Sequence, residues 1–97
     1  MTRKLTNTSF VIKRTGEEVP FDKKRISNAI SSAIGATKIK IPKKTLNNLL
    51  DDICYEVSGK FQNFTPNVEN IQDIVEKNLM KYEMFDVAKA YILYRAN

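Results

Sequence analysis

Four successive segments of this chain carry apolar residues at helical spacing, and this pattern limits the possible folds more than any other feature. In the second segment, residues 43–59, the apolar positions keep the spacing of one helix face without a break. They are Leu46, Leu49, Leu50, Ile53, Cys54 and Val57. Similar stripes predict helices over residues 23–34, from residue 66 or 67 to about 79, and over about 85–95. Each stripe needs a partner, so a cluster of four helices is the simplest packing.

A β-hairpin is predicted ahead of the first helix. Residues 9–14 and 18–21 are short runs of β-type composition, and Gly16 lies between them. Glycine supplies the positive φ that a tight turn needs, so the pattern is typical of a hairpin. Pro20 places the second strand at a sheet edge or at the strand's own end.

Capping residues set the predicted helix limits. Asp22 is expected to cap the start of the first helix, while Gly35 and Gly59 are expected to end the first and second helices. Residues 37–41 fit either a loop or a brief third strand. The predicted fold is therefore of the α+β class: a four-helix bundle capped by a small, two- to three-stranded β-sheet that is built on the N-terminal hairpin.

Length and composition exclude several kinds of protein. A chain of 97 residues has room for one domain. With one cysteine and no histidine, it has no internal disulfide, no histidine-ligated metal site and no Ser/His or Cys/His nucleophile pair. No apolar run approaches the roughly 18–20 residues of a membrane span, and the N-terminus lacks the apolar core of a secretory signal. These features favour a cytoplasmic binding module over an enzyme, with no membrane partner.

The charge is unevenly distributed along the chain. Residues 1–45 hold eleven basic and three acidic residues, a formal charge of +8, whereas residues 46–97 carry −3. This asymmetry points to an anionic partner such as a nucleotide, a nucleic acid or an acidic protein. A solvated lysine-rich surface is equally compatible with charge alone.

Two basic clusters are predicted to meet at the start of the first helix. Lys13 and Arg14 end the first strand beside the turn, and the run 23–25 occupies the first helical turn. The free N–H groups and the dipole of a helix N-terminus favour phosphate, and a bound anion removes the conflict between these cations and the dipole. We therefore predict a phosphate-binding site here, with plain surface charge as the alternative.

The other candidate features have structural explanations. Cys54 lies within an apolar stripe, so we expect a buried thiol and not a reactive one. The acidic pair 51–52 and the residues Glu69 and Asp73 fall on polar helix faces and are expected to be solvated. No Walker-type or G-x-G-x-x-G phosphate loop is present.

Two separated motifs resemble one family. VIKRTGEEVPFDKKRI, residues 11–26, resembles the opening motif of the ATP-cone, the nucleotide-sensing domain of ribonucleotide reductases. VENIQDIVEKNLMKYEMFDVAKAYILYR, residues 68–95, is similar to the family's last two helices. The expected organisation is an N-terminal tail over residues 1–8 and an ATP-cone domain over 9–97. Thr15 departs from the Asp or Asn that commonly precedes the turn glycine.

The resemblance implies a regulatory domain without catalytic residues. ATP-cones bind ATP or dATP where the hairpin sheet covers the bundle, and Mg²⁺ accompanies the phosphates. ATP commonly leaves the reductase active, while dATP drives an inhibited assembly. The implied partners are adenine nucleotides, the rest of a reductase subunit and further copies of the chain in a nucleotide-dependent homo-oligomer. The resemblance implies either a stand-alone cone or an N-terminal domain whose host is a large catalytic subunit, an anaerobic glycyl-radical enzyme or a radical-generating subunit.

The resemblance also assigns polar roles to individual residues. Lys13 and Arg14 match the pair that meets the phosphates, and Arg25 matches the basic position beside them. Asp22 matches a polar position near the base and sugar, and Gln72 matches a position on the third helix that faces the nucleotide in some members.

Apolar and secondary positions complete the implied site. The residues Val11, Val19 and Ile26 match apolar walls around the adenine, and Ile12 belongs to the same strand as Val11. Further candidates, for contact with a second nucleotide, are Lys60, Thr65 and Lys89. At the connection between the last two helices, Tyr82, Met84 and Phe85 form a candidate apolar contact patch.

The competing interpretation is a small basic nucleic-acid-binding module or a nucleotide-responsive transcription regulator. The aromatic residues are not interleaved with the basic ones as a base-stacking surface requires, so nucleic acid is the less favoured partner. A related transcriptional repressor carries an ATP-cone behind a four-cysteine zinc ribbon, whereas this chain has one cysteine.

Overall fold

A computed structural model describes residues 10–95, so the predicted tail over residues 1–8 lies outside the described part. In chain order the elements are the strands β1 (Phe10–Ile12) and β2 (Glu18–Pro20) and the helices α1 (Lys23–Thr37), α2 (Lys43–Lys60), α3 (Val68–Lys81) and α4 (Phe85–Arg95). This arrangement confirms the predicted α+β class, with four helices and a small N-terminal sheet.

The predicted hairpin is present as a two-stranded antiparallel sheet. The N–H of Lys13 donates to the carbonyl of Glu17, and the N–H of Gly16 donates to the carbonyl of Lys13, both at 2.8 Å. Gly16 has φ 91°, a conformation that costs glycine little and other residues more. Pro20 is the last residue of β2, where its missing N–H removes no inner ladder bond.

The free side of β1 contacts the start of α3 and not a third strand. The Ile12 N–H donates to the Pro66 carbonyl at 2.9 Å, and Ile12 forms an isolated parallel bridge with Asn67. Residues 38–42 form a loop, so of the two alternatives for this segment the structure has the loop. Within the described residues the sheet therefore has two strands.

The predicted starts of α1 and α3 are confirmed by their caps. The Asp22 carboxylate accepts from the Lys24 N–H at 2.9 Å at the start of α1. At the start of α3, the side chains of Asn67 and Asn70 each accept from the other residue's N–H, which forms a capping box.

The predicted end of α1 at Gly35 is wrong. The helix continues to Thr37, and Lys38 takes the left-handed conformation with φ 60° while its N–H donates to the Ile34 carbonyl at 3.1 Å. The Thr37 hydroxyl donates to the same carbonyl at 2.8 Å. These two donors satisfy the helix end two residues beyond the glycine, so Gly35 is not needed as a cap.

The core lies where the four apolar stripes meet, and α4 packs against both α1 and α3 while α2 packs against α3. The fully buried side chains at its centre are Ile30, Leu49, Ile53, Val57, Val75 and Leu79. Cys54 is also fully buried, as predicted, and burial raises the pKa of its thiol. Among residues 10–95, none of the helices has both the length and the apolar character required to cross a bilayer.

Neighbouring residues on α3 allow a matched test of the core. Leu79 is fully buried and Met80 is 51% exposed. Leu79→Ala is expected to lower the free energy of unfolding by about 2–5 kcal/mol, because it removes buried methyl groups and leaves a cavity. Met80→Ala is the control and is expected to change it by only about 0.5 kcal/mol. Urea denaturation measures both, and equal losses would contradict the assigned faces of α3.

Candidate functional site

A cleft of about 780 Å³ lies between the hairpin, the start of α1 and the helices α3 and α4. A volume of this size is typical of small-molecule sites. Its lining includes eight of the nine residues predicted for the nucleotide site: Val11, Lys13, Arg14, Val19, Asp22, Arg25, Ile26 and Gln72. Two segments far apart in the sequence thus contribute to one cavity.

Ile12, the ninth predicted residue, does not line the cleft. Successive side chains of a strand point to opposite faces, so Val11 turns toward the cleft while Ile12 turns away from it. Ile12 contributes through its backbone instead, because its N–H holds β1 to Pro66.

The hairpin and α1 supply the positive charge of the cleft. The Lys13 ammonium lies 3.8 Å from the Glu17 carboxylate, but both side chains are about half exposed or more, and such pairs are weak. Within the described residues, neither Arg14 nor Arg25 has an ion-pair partner, and both are exposed. These two guanidinium groups are available to an anion.

The basic run at the start of α1 is divided between two surfaces. Lys23 pairs with Asp51 of α2 at 3.5 Å, whereas Arg25 lines the cleft. The first turn of α1 contains no acidic residue. The start of the helix therefore remains electropositive, and Asp22 is the one carboxylate among the described lining residues.

Apolar side chains line the cleft beside the cations. Val11 and Val19 are paired across the hairpin, and Ile26 of α1 is buried with Val11. Val68 and Ile71 of α3 add to the same lining. A ligand with a polyanionic part and a flat apolar part matches this combination of surfaces.

One wall of the cleft was not predicted from the sequence, and it consists of Tyr91, Tyr94 and Arg95. The signal that could have found them is their i, i+3, i+4 spacing on the last helix, which places them on one face. Tyr91 is buried, and burial together with the Glu76 charge raises its pKa to about 12. Its hydroxyl is therefore neutral at physiological pH.

Arg95 is held by two residues of α3. Its Nη1 donates to Oε1 of Gln72 at 3.1 Å, and its Nε forms an ion pair with Oε2 of Glu76. These contacts join the end of α4 to α3 at the edge of the cleft.

The candidates for a second nucleotide lie outside the cleft. Lys60 lines a separate cavity of about 430 Å³ between α2 and α3, where its ammonium is 3.8 Å from Glu56. Thr65 is half-buried in the loop before α3, and Lys89 is exposed on α4. Neither Thr65 nor Lys89 lines the cavity that Lys60 lines.

The separate cavity contains a carboxylate surrounded by donors. Burial raises the pKa of the Glu56 carboxyl, but hydrogen bonds from Lys77 and Asn78 lower it more, so that this pKa lies below its ordinary value. Glu56 thus neutralises part of the lysine charge there, including that of Lys60.

Metal-ligating side chains are not clustered in the described part of the chain. No group of three or more Cys, Asp or Glu residues among positions 10–95 is arranged to hold a metal ion. In the cleft, Asp22 supplies one carboxylate, and one of its oxygens already caps α1.

Comparisons with known proteins agree on one family. A family model described as the ATP cone domain matches residues 9–97. The chain is 40% identical over 90 residues to a vitamin B12-dependent ribonucleoside-diphosphate reductase of Thermoplasma acidophilum, covering 88% of this chain and 11% of the reductase. It is 40% identical over 92 residues to the alpha subunit of a ribonucleoside-diphosphate reductase of Chlamydia pneumoniae, and this match covers 88% of this chain and 9% of that subunit.

A transcriptional repressor is also similar. The transcriptional repressor NrdR of Ehrlichia canis is 37% identical over 80 residues, covering 81% of this chain and 50% of the repressor. The chain thus spans about a tenth of the length of the reductases it matches and half of the repressor. What these relatives share with it is the matched segment, and the chain belongs to the ATP-cone family of regulatory, nucleotide-binding domains.

Proposed function

We propose that this chain binds ATP or dATP in the cleft and regulates the activity of a ribonucleotide reductase without taking part in its chemistry. The observation that carries the proposal is one cavity with unpaired guanidinium groups, Arg14 and Arg25, beside an apolar lining. Membership of the ATP-cone family supports a nucleotide as the occupant.

The phosphates are assigned to the cationic part of the cleft. Lys13, Arg14 and Arg25 converge there from the hairpin and α1. Guanidinium groups form bidentate contacts with phosphate oxygens, and the dipole of α1 favours negative charge at its start. Mg²⁺ enters with the phosphates, since a lone Asp22 is too small a donor set to hold it separately.

The adenine is assigned to the apolar lining. Val11, Val19 and Ile26 offer contact to the faces of a flat ring. The Asp22 carboxylate keeps acceptor capacity after capping α1, because a carboxylate accepts several hydrogen bonds. This remaining capacity suits the amino group of the base or the hydroxyls of the sugar.

Nucleotide selectivity tests the adenine assignment. Adenine nucleotides are expected to raise the thermal midpoint more than GTP or CTP, because ATP differs from GTP and CTP only in the base. A nucleotide that binds only the folded state raises the free energy of unfolding by about 2.7 kcal/mol when its concentration is a hundred times Kd. A thermal melt with ATP, dATP, GTP and CTP measures this, and equal shifts for all four would reduce the site to a general anion site.

A charge-matched pair of variants tests the phosphate assignment. Arg14→Ala is expected to weaken ATP binding about tenfold or more, since a charge-assisted hydrogen bond contributes about 1.5–3 kcal/mol. Lys13→Ala is expected to act in the same direction. Lys43→Ala, an exposed cation at the start of α2 outside the cleft, is the control. Calorimetry that shows Lys43→Ala to be as damaging as Arg14→Ala would contradict the assignment.

The regulatory output is assigned to the surface of α4. Phe85, Ile92 and Leu93 are 55%, 43% and 63% exposed, which is unusual for residues of this size on one helix. Tyr82 and Met84, predicted as part of the contact patch, are half-buried against the core. We therefore assign nucleotide-dependent self-association to the exposed residues of α4.

Self-association is tested by light scattering at tens of micromolar protein. The apparent mass is expected to change with dATP, and Phe85→Ala is expected to reduce that change while leaving nucleotide binding intact. Phe64→Ala is the matched control, because Phe64 is 59% exposed in the loop before α3. Identical scattering without nucleotide, with ATP and with dATP would remove self-association from the proposed function.

A nucleotide-responsive transcription regulator is the second candidate, and the similarity to the repressor NrdR favours it. Binding to nucleic acid through the basic half predicts an affinity that falls steeply with salt and ignores base identity. Adding a short oligonucleotide to the thermal melt separates the two candidates. Stabilisation by the oligonucleotide supports the regulator, whereas stabilisation by ATP and not by the oligonucleotide supports the reductase domain.

A further inference from the structure

A three-residue link joins α3 to the end of α4 beside the cleft. Gln72 and Glu76 are four residues apart on α3, so they lie on the same face. Arg95 contacts both, through a hydrogen bond from Nη1 to Oε1 of Gln72 at 3.1 Å and an ion pair with Glu76. The Arg95 and Glu76 side chains are only 27% and 19% exposed, so this link is largely shielded from water.

The link fixes the orientation of the Gln72 amide. A guanidinium group has donors and no acceptor, so the Gln72 atom that it meets is the carbonyl oxygen Oε1. The other end of the amide, Nε2, carries two N–H donors. Because Gln72 lines the cleft, the part of its amide that remains available to a ligand is the Nε2 group, which donates hydrogen bonds.

Glu76 determines how Arg95 acts. Arg14 and Arg25 have no carboxylate partner among residues 10–95, whereas Arg95 is paired with Glu76. Pairing at this degree of burial neutralises the guanidinium charge toward the cleft. Arg95 is therefore poorly suited to act as one more phosphate-binding cation, although it lines the same cavity.

We propose that Arg95 is a positioning residue that orients the Gln72 amide, so that Nε2 of Gln72 donates a hydrogen bond to an acceptor atom of the bound nucleotide. The proposal rests on the proposed function, because the ligand is the nucleotide in the cleft. Phosphate oxygens, sugar oxygens and purine ring nitrogens all accept such a bond. A glutamine without the guanidinium is free to turn its oxygen toward the same atom, where two acceptors repel.

A double-mutant cycle on the 97-residue chain tests this coupling, with ATP affinity measured by calorimetry. Gln72→Met keeps the side-chain volume and removes the donor, and it is expected to weaken binding by about three- to tenfold. Arg95→Met is expected to weaken binding by a similar factor. The double variant is expected to bind no more weakly than either single variant, because both changes remove one interaction.

Other outcomes separate this inference from its alternatives. Losses that multiply in the double variant would overturn it, because Arg95 then contacts the nucleotide independently of Gln72. Glu76→Gln removes the neutralising charge but keeps a hydrogen-bond acceptor. If Arg95 acts directly as a cation on the phosphates, this variant binds ATP more tightly than the wild-type chain. Our proposal predicts no such increase in ATP affinity. If Arg95→Met folds poorly, Arg95→Lys replaces it in the test. The lysine keeps a hydrogen-bond donor, so this variant is expected to bind ATP more tightly than Arg95→Met. A wild-type chain that binds no nucleotide contradicts the proposed function itself.

Discussion

The hydrogen bond from the Ile12 N–H to the Pro66 carbonyl is the interaction on which the rest of the site depends. A two-stranded hairpin with strands of three residues is marginally stable by itself in water. This bond and the burial of Val11 hold the hairpin on the bundle at the start of α3. Lys13 and Arg14 follow directly after the anchored residue, so their position over the cleft is set by the same contact.

The cleft divides the chain into a part that lines it and a part that supports this lining. Its described lining comes from the hairpin with α1 and from α3 with α4, and α2 contributes no lining residue. Instead α2 supplies the fully buried Leu49, Ile53 and Val57. The exposed cations of the cleft and the buried residues of α2 are therefore expected to affect different properties, so that variants at Lys13, Arg14 and Arg25 keep their fold.

Local chemistry explains what could be predicted from the sequence. The turn at Gly16 and the cap at Asp22 follow from properties of single residues. The helix predicted over about residues 85–95 is present as α4, although its apolar residues are not confined to one face. The end of α1 was mispredicted because the Thr37 hydroxyl and the Lys38 N–H compete successfully with a glycine cap. The Arg95 link escaped prediction because it depends on how α4 lies against α3, which no local pattern encodes.

The buried thiol of Cys54 makes the chain a convenient reporter of its own opening. It is the one cysteine in the sequence, and it lies on α2, which does not line the cleft. Burial both shields the sulfur and raises its pKa, so opening of the core around Cys54 favours formation of the reactive thiolate. Alkylation during a short exposure to reagent therefore counts the molecules whose core has opened, with no added label and no change to any residue that lines the cleft.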